Sequence, residues 1–176
     1  ILGKWKTYSN DTMARLMHFL RIKTDTYQVC LTGDSRSINL FENQDLDRGL
    51  QSIIKSEKIR GIFSSPPYVG LIDYHEQHAY AYELFGFSRR DELEIGPLFK
   101  GQTNGAKASY VDGISNVLLN CKRFLVDDYD IFLVANDKYG LYPEIAARSG
   151  MRIVNTYRRP VLNRTERDKS AYSEDI

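Results

Sequence analysis

Cysteine and histidine are too few and too scattered in this chain to build a zinc site. The two cysteines, Cys30 and Cys121, have neither CxxC spacing nor histidines at metal-ligand spacing. Both fall in apolar stretches, so they read as reduced core residues. Of the three histidines, His18 lies on an amphipathic helix, at its surface. His75 and His78 stand i, i+3 beside Asp73 and Glu76, but no third protein ligand is placed to complete a site, so no metal is expected. No apolar run approaches the roughly 18 residues that span a bilayer, and no signal peptide precedes the first element. Those readings point to the cytoplasm. A dominant charge is missing as well: 24 basic against 23 acidic residues give a net +1. A nucleic-acid partner would therefore have to be met by local basic clusters, since no global field is present. There is no internal repeat and no low-complexity tract.

What is present fits one α/β domain. A length of 176 residues can bury a sizeable core, and 42% hydrophobic with 27% charged residues is ordinary globular composition. Twelve tyrosines suit a base-stacking surface and a well-filled core equally. Ser9-Asn10-Asp11 offers N-caps, and Met13, Leu16, Met17 and Leu20 follow at helical spacing, predicting a helix that ends near Lys23. Residues 1–24 read as this helix leading into a catalytic domain over 25–176. Tyr27 to Thr32 reads as a strand closed by Gly33-Asp34-Ser35, Leu46 to Ser56 as a short helix, and Ile59 to Phe63 as a buried strand. Glu76 to Phe87 is helical in pattern, residues 88–105 form a long polar loop, and such loops are usually functional. Ala106 to Leu125 is the longest helix, with Tyr110, Ile114, Val117, Leu118 and Cys121 as its apolar stripe. Asp130 to Ala135 is an apolar strand, Leu141 to Ser149 a helix capped by Gly150, and Met151 to Tyr157 another strand. This alternation predicts a doubly wound, mostly parallel sheet. The chain starts at Ile1 without methionine and stops at Ser173-Glu174-Asp175-Ile176, where a strand is beginning, so a fragment is expected.

Ser65-Pro66-Pro67-Tyr68 follows the strand ending at Phe63 directly. Ligands of open α/β sheets bind beyond the carboxyl ends of strands. Two successive prolines fix φ and remove two amide donors, which sets the direction of nearby carbonyls. A short hydroxyl and a proline carbonyl can together accept both hydrogens of an exocyclic amine, and Tyr68 offers a flat face for an extruded base. The bland alternative is a proline-rich turn.

At these residues the chain resembles the amino-methyltransferases of DNA, whose motif is Asp, Asn or Ser, then Pro-Pro, then an aromatic. The longer run Ile62 to His78 and the segment Arg159 to Lys169 resemble a subgroup of bacterial and archaeal modification methylases, so the likeness covers the chain from about residue 30 onward. It implies a Rossmann-like fold, S-adenosylmethionine as methyl donor, and double-stranded DNA with a flipped base as substrate. Serine at the first motif position implies cytosine N4 as the target, with adenine N6 as the alternative. Ser65, Pro66, Pro67 and Tyr68 would carry catalysis, and Ser65 would also face the donor. Gly33-Asp34-Ser35-Arg36 resembles the family's third motif, which places Asp34 toward the donor's adenine; an aspartate after a strand is also a common turn residue. His75, His78, Asp73 and Glu76 would line the pocket rim or support Tyr68.

One departure matters. The family's Phe-x-Gly-x-Gly donor loop is absent, and Gly101 to Gly105 is no substitute, because no strand precedes it. The expectation is a catalytic half whose donor loop lies on an upstream segment or a second subunit. Six basic residues run from Arg152 to Lys169, opposed by Glu166 and Asp168 alone. Of these, Arg158, Arg159, Arg164, Arg167 and Lys169 are the candidates for phosphate contacts; Arg89, Arg90 and Lys100 are weaker ones. Neither cysteine lies in the Pro-Cys turn of enzymes that methylate cytosine C5. Rival readings are methylation of RNA or protein amides, and an inactive DNA-binding remnant.

Overall fold

Pro66 and Pro67 end a strand, and that strand organises the larger part of the molecule. A computed structural model describes residues 2–161 and 172–175. The chain divides into two compact units, Ile1–Cys30 and Leu31–Ile176.

The first unit is helix α1 (Leu2–Ile22) and the segment after it. The helix starts nine residues before Asp11, so Ser9, Asn10 and Asp11 are interior residues, where caps were expected. No proline interrupts the stretch, and Asp11 pairs with Arg15 one turn on at 2.8 Å, as helical spacing allows. The expected strand from Tyr27 to Thr32 does not form. A strand needs a neighbour to take its amides and carbonyls, and no ladder among the described residues includes this stretch. Cys30 is consequently exposed and not a core residue, while Cys121 is half-buried, with burial raising its thiol pKa. A hollow of about 350 Å³ lined by Phe19, Lys23, Asp25 and Gln28 belongs to this unit and includes no candidate site residue.

The second unit opens with turns to α2 (Arg48–Glu57), whose first amides are satisfied by Asp47: its carboxylate accepts from Gly49 N at 2.8 Å and Leu50 N at 3.2 Å. Strand β1 (Ile59–Ser64) follows and pairs in parallel with β2 (Leu125–Leu133). The register slips between Ile59 and Gly61, then holds with Ile62 opposite Ile131 and Phe63 opposite Phe132. Between the strands lie α3 (Tyr74–Gln77), α4 (Ala79–Phe85), a loop with two short 3-10 turns, and α5 (Asn104–Lys122), capped by Thr103. Helix α6 (Tyr142–Arg148) follows β2 and ends at Gly150 as expected. The strand expected over Met151 to Tyr157 is extended chain outside any ladder, with Val154 82% exposed. Pairing begins one residue later, where β3 (Arg158–Val161) runs antiparallel to β4 (Tyr172–Asp175).

The α/β class is therefore observed, with a two-stranded parallel sheet among the described residues where a larger one was expected. The core lies between the inner face of that sheet, α5 and α6. Tyr110, Val111, Ile114 and Leu118 project from one side of α5 onto Ile145 and Val69, flanked by Ile131 and Leu133 of β2. The opposite face of the sheet is bare: Phe63 is 80% exposed and Phe132 55%. No helix among the described residues is long and apolar enough to cross a membrane.

Candidate active site

Ser65 begins the loop at the carboxyl end of β1. With no amide hydrogens of their own, Pro66 and Pro67 leave the turn to be anchored through carbonyls, and it is anchored on both sides. Before it, Ser64 O accepts from Val134 N at 2.9 Å, beside the end of β2. Within it, Pro67 O accepts from the Tyr110 hydroxyl at 2.8 Å. Ser65 between these points is exposed, and Pro66, Pro67 and Tyr68 are half-buried.

The chain after Tyr68 is held as firmly. Val69 is buried, Gly70 N donates to Gly96 O at 2.9 Å, Gly70 O accepts from Gln102 Nε2 at 3.2 Å, and Leu98 N donates to Ile72 O at 3.1 Å. Two glycines make this clasp possible. Gly70 has φ +62°, and a Cβ there would lie 2.5 Å from Gly101 O; Gly96 has φ +67°, and its Cβ would meet the Tyr110 ring at 2.7 Å. The long polar loop over 88–105 is thus the strap that fixes the proline turn from outside.

Behind the turn sit two phenols. Tyr110 is 2% exposed, and its oxygen lies 3.0 Å from that of Tyr142. Burial pushes the Tyr110 phenol up to about 12, with Tyr142 lowering it less and Asp137 adding to the rise. Tyr142 is raised further, by burial first and then by Tyr110, Asp137 and Tyr68. Asp137, just past β2, caps α6 by accepting from Leu141 N at 2.6 Å and Tyr142 N at 3.3 Å.

Asp34 is held elsewhere. Asn120 Nδ2 binds Ser35 O and Ile38 O at 3.1 and 2.9 Å, and Phe41 meets Phe124 edge-on at 4.9 Å. These tethers lie beside the amino ends of β1 and β2, where Ile59 N reaches Phe124 O. Asn120 is ten positions beyond Tyr110 on α5, about 15 Å at the helical rise. The Asp34 and Ser65 turns are thus fastened at different levels of the same helix. The Asp34 carboxylate is gripped by Arg36 Nε and Nη2 at 2.8–3.1 Å, and this hydrogen-bonded pair lowers its pKa. Arg36 also reaches Leu93 O at 3.3 Å.

The remaining candidates have local partners. Asp73 caps α3, His75 Nδ1 bonds the Tyr82 hydroxyl, and Glu76 pairs with Arg89, which also holds Asp91. Arg158 is exposed at the start of β3. Arg159 is described in its backbone alone, and Arg164, Arg167 and Lys169 lie outside the described residues.

The decisive comparison is with a curated protein. Across all 176 residues, the chain is 51% identical to the Type II methyltransferase M.MjaII of Methanocaldococcus jannaschii. It spans 33% of that relative's length. No family model matches the chain, and no solved structure does.

The sequence singles out the Ser65 to Tyr68 turn as the candidate site, but not the roles around it of Tyr110, Asp137, Tyr142, Gly70 and Gly96. Tyr110 was visible as a stripe residue of α5, yet nothing local distinguishes a tyrosine whose hydroxyl is used from one that only fills space. Asp137 and Tyr142 carried a readable signal: an acidic residue shortly before a Tyr-Pro helix start is a cap in waiting.

Proposed function

We propose that this chain is the catalytic portion of an S-adenosylmethionine-dependent DNA methyltransferase that modifies the exocyclic N4 amine of cytosine, within a restriction-modification system. The observation that carries this reading is an exposed Ser65 in a doubly anchored Ser-Pro-Pro-Tyr turn at the carboxyl end of a parallel strand. Its support is a chain half-identical throughout to a Type II methyltransferase.

In this reading a flipped cytosine stacks on Tyr68. The Ser65 hydroxyl and the Pro66 carbonyl accept the two amine hydrogens and turn the nitrogen lone pair outward. When bound, S-adenosylmethionine supplies an electrophilic methyl group. The N–C bond would form as the methyl–sulfur bond breaks and its electron pair stays on sulfur as a neutral thioether; the amine proton then passes to water or through Ser65, and no covalent bond to the protein is needed. Orientation provides most of the acceleration, which suits a turn with so little freedom.

The fit to the donor is partial. Asp34, assigned by the resemblance to the donor's adenine, is fastened beside the amino ends of the strands and already bound by Arg36, so this assignment has no geometric support, and neither parallel strand is followed by a glycine-rich loop. The reading therefore assigns the donor's methionine end, and the rest of a Rossmann-like doubly wound sheet, to polypeptide outside these residues. That is an upstream segment or a second subunit. Arg158, Arg159, Arg164, Arg167 and Lys169 are assigned to DNA phosphates.

The test is to methylate genomic DNA with labelled donor, digest it and identify the nucleoside. N4-methylcytosine is expected. N6-methyladenine would transfer the same chemistry to adenine, and label confined to RNA or protein would overturn the reading.

A further inference from the structure

We propose that Tyr110 and Tyr142 form a directional positioning relay that fixes the Pro67 carbonyl, and through it the Ser65–Tyr68 turn, so that the pair governs the rate of methyl transfer without touching base or donor. This rests on the reading of that turn as the amine-holding site.

The direction follows from counting hydrogens. A phenol has one to give, and a carbonyl can only accept. Pro67 O lies 2.8 Å from the Tyr110 oxygen, so Tyr110's hydrogen is committed to it. The 3.0 Å contact between the two phenols must then be made with Tyr142's hydrogen. The chain runs Tyr142 to Tyr110 to Pro67, and each bond polarises the next.

Both donors are fixed before they reach the turn. Tyr110 sits in the α5 face of the core, with its ring against Gly96. Tyr142 begins α6, its amide held by Asp137 from the end of β2. The Pro67 carbonyl thus takes its orientation from two helices and a strand end, in a turn whose prolines cannot fix themselves by donating. That carbonyl defines the peptide plane entering Tyr68, and Ser64 O is pinned to Val134 N on the other side. Ser65 and Pro66, the proposed amine acceptors, are the residues between the pins. A core position needing only volume would accept phenylalanine. Here one hydroxyl meets a backbone carbonyl and the second meets the first.

The experiment uses the assembled enzyme, this chain together with its donor-binding segment, and compares Tyr110→Phe, Tyr142→Phe and the double variant. Single-turnover methylation rate, donor KM and thermal midpoint are measured for each. Tyr110→Phe should slow transfer about tenfold or more, since small misplacement at a reacting centre is costly. Donor KM should stay unchanged. Tyr142→Phe should have a smaller effect, and the double variant should be no slower than Tyr110→Phe, because Tyr142 acts only through Tyr110. Leu118→Ala, a core variant away from the hydroxyls, should lower the midpoint while leaving the single-turnover rate of folded enzyme near the parent's. Rates within twofold of the parent in both single variants, or effects that multiply in the double, overturn the relay. If Tyr110→Phe fails to fold, Tyr142→Phe decides alone: a parental rate overturns the proposal. Ser65→Ala separates the two levels. If it too is silent, the reading of the turn itself falls; if it abolishes transfer while the tyrosine variants are silent, only the relay does.

Discussion

The carboxylate of Asp34 and the guanidinium of Arg36 close a fork, with Nη2 2.8 Å from Oδ2 and Nε 2.9 Å from Oδ1. The two side chains are 28% and 27% exposed, so the pair itself contributes less than about 1 kcal/mol to stability. The proposed role of Asp34 is in ligand binding. Asp34→Asn should weaken donor binding roughly tenfold in the assembled enzyme, as expected when a charged hydrogen-bond acceptor is lost, with a thermal midpoint close to the parent's. Because Arg36 holds the carboxyl below its ordinary 3.8, its contribution to stability is complete above that value and is lost as pH falls from there through the lowered one. Isothermal titration with donor is the check. Unchanged affinity would return Asp34 to the role of a turn residue.

Tyr68→Ala should reduce methylation far more than folding. The lost stacking is worth about 1–3 kcal/mol by analogy with other base–aromatic contacts, and the half-buried ring leaves the core cluster intact. Rate per folded molecule and urea midpoint should be measured together. Full activity in a destabilised variant would make Tyr68 a packing residue.

Alkaline pH should loosen the fold at the tyrosine pair. The Tyr110 phenol is raised from 10.0 to about 12, mainly by burial. Folding therefore favours the protonated form: the stabilisation is complete below pH 10 and is lost as pH rises from there through about 12. Tyr142, shifted in the same direction, adds to the loss. Urea midpoints measured across this window should fall, and Tyr110→Phe should flatten the decline. A slope identical to the parent's would show that Tyr110 ionises as freely in the folded chain as in the unfolded one.

Neutralising Arg164, Arg167 and Lys169 together should weaken DNA binding and flatten its dependence on salt. Each phosphate contact removed reduces the slope of log affinity against log salt by about 0.9. A salt titration of DNA binding reads this directly, and an unchanged slope would leave the segment merely solvated.

The parts of the fold legible in the sequence are those that local chemistry decides. The stripe from Tyr110 to Cys121 marks α5 because helical spacing is a property of neighbours, and Pro66-Pro67 marks the end of β1 because prolines cannot donate. Gly150 marks the end of α6 for a similar reason, its φ of +62° being one that glycine takes without strain. Tyr27 to Thr32 and Met151 to Tyr157 have strand-like composition without forming strands, because a strand's stability resides in its neighbour. The site divides along the same line. The Ser65 to Tyr68 turn stands out from neighbouring residues alone and remains the proposed site, whereas the Tyr110 contact joins residues 43 positions apart and depends on how α5 is turned.

The bare side of the two-stranded sheet has a calorimetric consequence. Phe63 and Phe132 face each other across β1 and β2 with most of their surface already in water. Unfolding cannot expose what is already hydrated, and newly exposed apolar surface is what raises the heat capacity of the unfolded state. The isolated 176 residues should therefore unfold with a heat-capacity increment below the usual figure of about 12–15 cal/mol/K per residue. Their stability should also vary unusually little with temperature, and cold should weaken this chain less than it weakens proteins whose parallel strands are covered on both faces.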